Sequence, residues 1–120
     1  MESPAEILIL DDEADIADAL RRLIERLGYR ACAIYRPAAA LELLGAQPGR
    51  FSVLITDMSM PGMNGREVLA QARALDPQLK VILSSGSPGH GPAGPAFDAS
   101  LVKPFGIPQL SAALEKVLRG

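Results

Sequence analysis

An apolar run, Val53-Leu54-Ile55, leads into a lone carboxylate, Asp57, and then into a turn rich in Pro and Gly, Met58-Ser-Met-Pro61-Gly-Met-Asn-Gly65. A short β-branched and aliphatic run bounded by turn residues predicts a buried strand. A parallel strand covered on both faces has no place for a carboxylate within it. At its C-terminal end the same carboxylate reaches the crevice where open α/β sheets bind ligands. Taken alone, Asp57 equally suits the start of a turn, where Asp is common. The rest of the chain separates the two readings.

Strand and helix patterns alternate along its length. Ala5 to Leu10 reads as a first strand ending in Asp11-Asp12-Glu13, and from Glu13 to Leu27 the residues Ile16, Ala19, Leu20, Leu23, Ile24 and Leu27 recur at helical spacing. Gly28 is a natural stop, and Tyr29 to Ile34 reads as a second strand. Pro37 suits a first helical position ahead of Ala38 to Ala46, and the strand ending at Asp57 follows. Arg66 to Leu75 predicts a third helix with Val68, Leu69 and Ala72 inward, stopped before Pro77. Leu79 to Ser85 and Ala99 to Val102 predict two more strands, and Ile107 to Leu118 a last helix striped by Leu110, Leu114, Val117 and Leu118. This alternation is the signature of an α/β doubly wound parallel sheet.

One segment departs from it. Gly86-Ser-Pro-Gly-His-Gly-Pro-Ala-Gly-Pro95 carries four Gly and three Pro, which predicts a missing or degenerate fourth helix. His90, the only histidine, falls in this segment and reads as solvated. The segment is expected to be mobile and to order when the site is modified.

At 120 residues the chain fits one domain, 1–120, with a substantial core. A net charge of −2 argues against bulk nucleic-acid binding. No apolar run reaches membrane-spanning length, no basic region followed by an apolar one opens the chain, and the single cysteine, Cys32, reads as a small core residue. A cytoplasmic protein is expected.

In a parallel sheet Asp11, Asp12, Asp57, Ser85 and Lys103 all fall on the same edge, where the strands end. With strand order 2-1-3-4-5 the three aspartates flank the switch point between strands one and three. Gathered carboxylates repel unless a cation sits among them. An all-oxygen donor set without His or Cys favours a hard divalent ion, and Mg²⁺ takes one or two carboxylates together with a phosphate oxygen. A carboxylate beside Mg²⁺ can attack phosphorus to give an acyl phosphate, while an ammonium such as that of Lys103 neutralises transition-state charge. Ser85 can donate a hydroxyl hydrogen bond to a phosphoryl oxygen. Each residue also has a plain structural reading: acids at a helix start suit the helix dipole, a surface Lys is usually solvated, and a strand-end Ser usually bonds backbone.

Asp11-Asp12 after a strand, Leu54-Ile-Thr-Asp57-Met-Ser-Met-Pro61-Gly-Met-Asn-Gly65, Ser84-Ser85-Gly86 and Lys103-Pro104-Phe105 resemble the receiver domain of bacterial two-component response regulators, over nearly the whole chain. The resemblance implies a flavodoxin-like (CheY-like) five-stranded parallel sheet. It implies that Asp57 is the phosphoacceptor, supplied by a histidine kinase or histidine phosphotransfer protein. It implies Mg²⁺ held by Asp12, Asp57 and the backbone carbonyl of Ser59, with Asp11 acting partly through water. Ser85 is the implied hydroxyl switch residue, preferred over Ser84 because the family places the hydroxyl before a small residue, here Gly86. Lys103 is the implied phosphate partner, with a cis bond to Pro104. Such a domain assists its own phosphorylation and dephosphorylation without being an enzyme in the usual sense.

The chain departs from the family at Ser100, where an aromatic switch residue is usual, and in the Gly/Pro segment, which stands where the fourth helix helps form the usual output and dimerisation face. Dimerisation would therefore use an atypical face. The chain reads as a single-domain regulator or as the receiver of a larger protein such as a hybrid histidine kinase, with neither nucleic acid nor membrane as its own partner. Two other readings compete. One is a phosphorylation-independent pseudo-receiver that serves as an interaction module. The other is an aspartyl-phosphate phosphatase of the haloacid dehalogenase type, which needs a second Asp where this chain has Ser59.

Overall fold

The computed structural model describes residues 5–86 and 97–119. Five strands, β1 (Glu6–Leu10), β2 (Arg30–Ile34), β3 (Val53–Asp57), β4 (Lys80–Ser85) and β5 (Ala99–Val102), form one parallel sheet in the order β2-β1-β3-β4-β5. The helices are α1 (Ala14–Arg26), α2 (Pro37–Ala46), α3 (Gly65–Leu75) and the C-terminal α4 (Ile107–Arg119). The expected missing or degenerate fourth helix, the mobility of its segment and His90 concern residues 87–96, which lie outside the described residues. No described helix is long and apolar enough to cross a membrane.

Alternation along the strands divides the core into two layers. Ile7, Ile9, Val53, Ile55, Ile82 and Leu101 pack on one face against Ala17, Leu20 and Ile24 of α1 and Leu110, Leu114 and Val117 of α4. Leu8, Leu10, Leu54 and Val81 pack on the other face against Ala40, Leu41 and Leu44 of α2 and Val68, Leu69 and Ala72 of α3. Residues 7–10 of β1 are at most 1% exposed, as a strand covered on both sides must be. Burying an Ile or Leu of this kind stabilises by about 1.5–3 kcal/mol, so these layers fix where the strand ends lie.

The helix ends follow local chemistry. At the end of α1 the Gly28 N–H donates to the Glu25 carbonyl and the Tyr29 N–H to the Ile24 carbonyl, with Gly28 at φ +100°. This Schellman closure turns the chain back into β2. Asn64 and Glu67 form a capping box at the start of α3: the Glu67 N–H donates to Asn64 Oδ1, and the Asn64 N–H to Glu67 Oε1. The first helix begins at Ala14 rather than Glu13, and its buried stripe runs through Ala17 while Ile16 is 38% exposed. Cys32, on the edge strand β2, is only partly buried.

Gly65 pins α3 to the end of β3. Its N–H donates to the Met58 carbonyl at 2.8 Å, and a Cβ at this position would lie 2.8 Å from the Asp57 carbonyl oxygen. The obstacle is backbone, which cannot swing aside as a side chain can. Gly65→Ala is therefore expected to lower stability by about 1–3 kcal/mol, read as a lower urea midpoint at unchanged slope.

Candidate functional site

The sheet brings the expected acids and the lysine together. Asp11 follows β1, Asp57 closes β3 and Lys103 follows β5, all at the C-terminal edge. The Lys103 Nζ donates to Asp11 Oδ2 at 2.9 Å and to Asp57 Oδ1 at 3.3 Å. One carboxylate oxygen each from Asp11, Asp12 and Asp57 lie within 4.8 Å of one another. Asp11 is buried, Asp57 half-buried and Asp12 exposed. The Lys103–Pro104 bond is cis, as expected.

The hydrogen bonds sort the carboxylate oxygens. Asp11 Oδ1 accepts from the Glu13 N–H at 2.9 Å while its Oδ2 holds Lys103, so both oxygens are engaged. Asp57 Oδ1 accepts from Lys103 and from the Met58 N–H at 3.0 Å, and among the described residues no hydrogen bond reaches its Oδ2. Asp12 makes no hydrogen bond among the described residues. An all-oxygen cluster of this kind suits a hard divalent ion such as Mg²⁺, which takes one or two carboxylates and keeps several waters.

The serines separate. Ser85 is 5% exposed, and its carbonyl accepts the Lys103 N–H at 2.7 Å, so its backbone fixes where the lysine leaves the sheet. Ser84 is the residue paired with Asp57 in the strand register. With Asp57 and Lys103 it lines a crevice of about 540 Å³, walled by apolar residues of α1 and by Pro104 and Phe105. Its Oγ is buried and has no hydrogen-bond partner among the described residues. Reading from the sequence singled out Ser85 and passed over Ser84; the signal was strand alternation, which sets Ser84 on the same face as Ile82. Ser59 is exposed in the connection after β3, and Ser100 is exposed on β5.

The matching family is the response regulator receiver domain, over residues 7–115, and the chain belongs to it. A response regulator receiver protein of Brucella abortus, CpdR, is 34% identical over 117 residues, covering 93% of this chain and 95% of CpdR. Of four further curated relatives the chain spans only 24–59% of their length. Among solved structures, a receiver domain protein from Clostridium thermocellum superposes with a TM-score of 0.89 at 25% identity, covering 96% of this chain and 94% of that one. The response regulator TrrA from Thermotoga maritima, solved with Mg²⁺ and BeF, gives 0.84 at 27% identity, covering 94% and 98%.

One ammonium serves several carboxylates, and the titration behaviour reflects it. Burial is the largest influence on Asp57 and raises its pKa above the ordinary carboxylate range; Lys103 opposes this and Asp11 adds to it. Burial disfavours the Lys103 ammonium too, but the hydrogen bond and charge of Asp11, joined by those of Asp57, leave its pKa above the ordinary lysine value. The folded protein thus holds the Asp57 proton to higher pH than the unfolded chain. Stability contributed through this residue is present below the ordinary carboxylate range and falls as pH rises through the raised value. Asp57→Asn removes the penalty. In metal-free buffer the variant is expected to have the higher denaturation midpoint at about pH 7, with the gap closing towards about pH 4.

Proposed function

We propose that this receiver domain is the phosphoacceptor of a two-component phosphorelay. In this reading it takes a phosphoryl group on Asp57 from a histidine kinase or histidine phosphotransfer protein, with Mg²⁺ bound, and changes conformation in response. The observation that carries this is the Lys103 ammonium held between Asp11 and Asp57 with Asp12 in reach, in a chain of the receiver family.

The free oxygen of Asp57, Oδ2, is the nucleophile. It attacks phosphorus in line with the P–N bond of the donor's phosphohistidine. A P–O bond forms as the P–N bond breaks, its electron pair leaves with the imidazole nitrogen, and the product is an acyl phosphate on Asp57. Asp12 and Asp57, with the backbone carbonyl of Ser59, would hold Mg²⁺ directly. Asp11, with both oxygens already engaged, acts through water. When bound, the metal would supply positive charge to the transferring group. Lys103 supplies the protein's own positive charge there, and its raised pKa keeps it protonated at neutral pH. The Ser85 hydroxyl is the group that answers the phosphoryl charge.

The donor docks on the face beside the site. Ile16, Ala19 and Leu23 of α1, with Pro104 and Phe105 beyond Lys103, form an apolar mouth opening onto Asp57. An apolar helix face of a phosphotransfer partner fits such a surface and carries its histidine to the carboxylate.

The deciding experiment is intact mass after incubation with Mg²⁺ and acetyl phosphate. The wild type is expected to gain one phosphoryl group, EDTA to prevent the gain, and Asp57→Asn to show none. No gain by the wild type, with acetyl phosphate or with any histidine kinase tried, would leave the pseudo-receiver reading in its place. Docking is tested separately through the exposed Ile16. Ile16→Arg is expected to slow transfer from a phosphotransfer protein that modifies the wild type by about tenfold, the effect of about 1.4 kcal/mol lost from an interface, without changing the rate with acetyl phosphate.

A further inference from the structure

Ser84 has no part in the scheme above, yet its hydroxyl is an anomaly that calls for a physical cause. A buried hydroxyl without a partner is destabilising, and the great majority find one. Ser84 is 3% exposed and its Oγ has no partner among the described residues. It is also well placed. β3 and β4 pair with Asp57 opposite Ser84, and neighbouring strands run about 4.8 Å apart. Both residues line the same crevice, as does Lys103. A serine rotates about one bond among three staggered positions, so its hydroxyl can be re-aimed without moving the strand.

We infer that Ser84 is a second hydroxyl of the phosphorylated site, donating its O–H to Asp57 Oδ1 once Lys103 turns to the phosphoryl group. This rests on the phosphoacceptor reading above. Before transfer, Oδ1 is held by Lys103 and by the Met58 N–H, and the Lys103 contact, at 3.3 Å, is the longer of the lysine's two. After transfer through Oδ2, Oδ1 is the carbonyl oxygen of an acyl phosphate and carries little charge. The phosphoryl oxygens then carry about −1.5 to −2 and draw the ammonium toward them. Oδ1 is left with one donor, and the hydroxyl across the strand pair replaces the lysine. The orphan donor is satisfied only in the phosphorylated form, so Ser84 favours that form. It acts through the Asp57 side chain and makes no contact with the phosphorus; it is a positioning residue.

Threonine and valine at position 84 have nearly the same shape and differ in the hydroxyl, so Ser84→Thr and Ser84→Val together separate hydrogen bonding from packing. The measurement is the lifetime of the acyl phosphate, followed by intact mass after acetyl phosphate and Mg²⁺ are removed, alongside the urea midpoint of each unphosphorylated variant. The phosphoryl group is expected to be lost about three- to tenfold faster from Ser84→Val than from Ser84→Thr, the effect of one neutral hydrogen bond. The unphosphorylated valine variant is expected to be at least as stable as the threonine variant, since the hydroxyl has no partner in that state. Equal lifetimes for the two variants, with the wild type phosphorylated normally, would overturn the role of Ser84 alone. A wild type that takes up no phosphoryl group would overturn the phosphoacceptor reading and this inference with it.

Discussion

One ammonium holds the functional edge of this fold together. Lys103 is 92 residues from Asp11 and 46 from Asp57 in sequence, yet its Nζ donates to both. Closing those two contacts requires β1, β3 and β5 to end on the same side of the sheet, which only a parallel arrangement with helical crossovers provides. The dependence runs the other way as well. Three carboxylates within 4.8 Å of one another would repel strongly if no cation stood among them. The strands place the acids, and the lysine offsets the repulsion that their placement creates.

Why the charges stand at the edge follows from the two apolar layers. β1 and β3 are covered on both faces, so any ionised group within them would lie in a low-dielectric interior without water. The first position free of both layers is the strand end, and Asp11 and Asp57 occupy it. Even there the release is partial: Asp57 is desolvated enough for its pKa to rise despite a lysine at hydrogen-bonding distance. A carboxylate half out of water, with one oxygen held by two donors and the other untouched among the described residues, is fixed in its orientation.

Much of this was legible in the residues, and the remainder fails for identifiable reasons. Strand β5 was read at its observed limits, because a short apolar run between turn residues leaves little freedom. Helix α1 was read one residue long at each end, and of its stripe Leu20 and Ile24 are buried as expected; Ile16 is the exception, apolar enough to satisfy the spacing while Ala17 is the residue that faces the sheet. A small residue fits close helix-to-sheet packing better than a large one, a preference that hydrophobicity alone does not register. The capping box at Asn64 and Glu67 carried its sequence signal, an Asn followed three residues later by Glu, but the Gly-rich turn before it masked the helix start. The acids and Lys103 were placed by topology alone. Ser85 was placed at the same edge by topology and preferred over Ser84 by the family pattern, whereas pairing with Asp57 and the burial of a hydroxyl without a partner among the described residues are features of Ser84 that only the register reveals.

In the phosphoacceptor reading, the charge balance gives modification a physical consequence. Asp11, Asp12 and Asp57 face one lysine, and a phosphoryl group exchanges one carboxylate charge for about −1.5 to −2. Lys103 is the cation that shares a crevice with Asp11 and Asp57, while Arg36 shares another with Asp12. In that reading a divalent ion, Lys103 and nearby hydroxyl groups would share the added charge. The protein groups concerned stand at strand ends: Lys103 after β5, the serines in β4, and the acids after β1 and at the end of β3. The Lys103 backbone N–H is bonded to the Ser85 carbonyl at 2.7 Å, which ties the start of the lysine side chain to the end of β4.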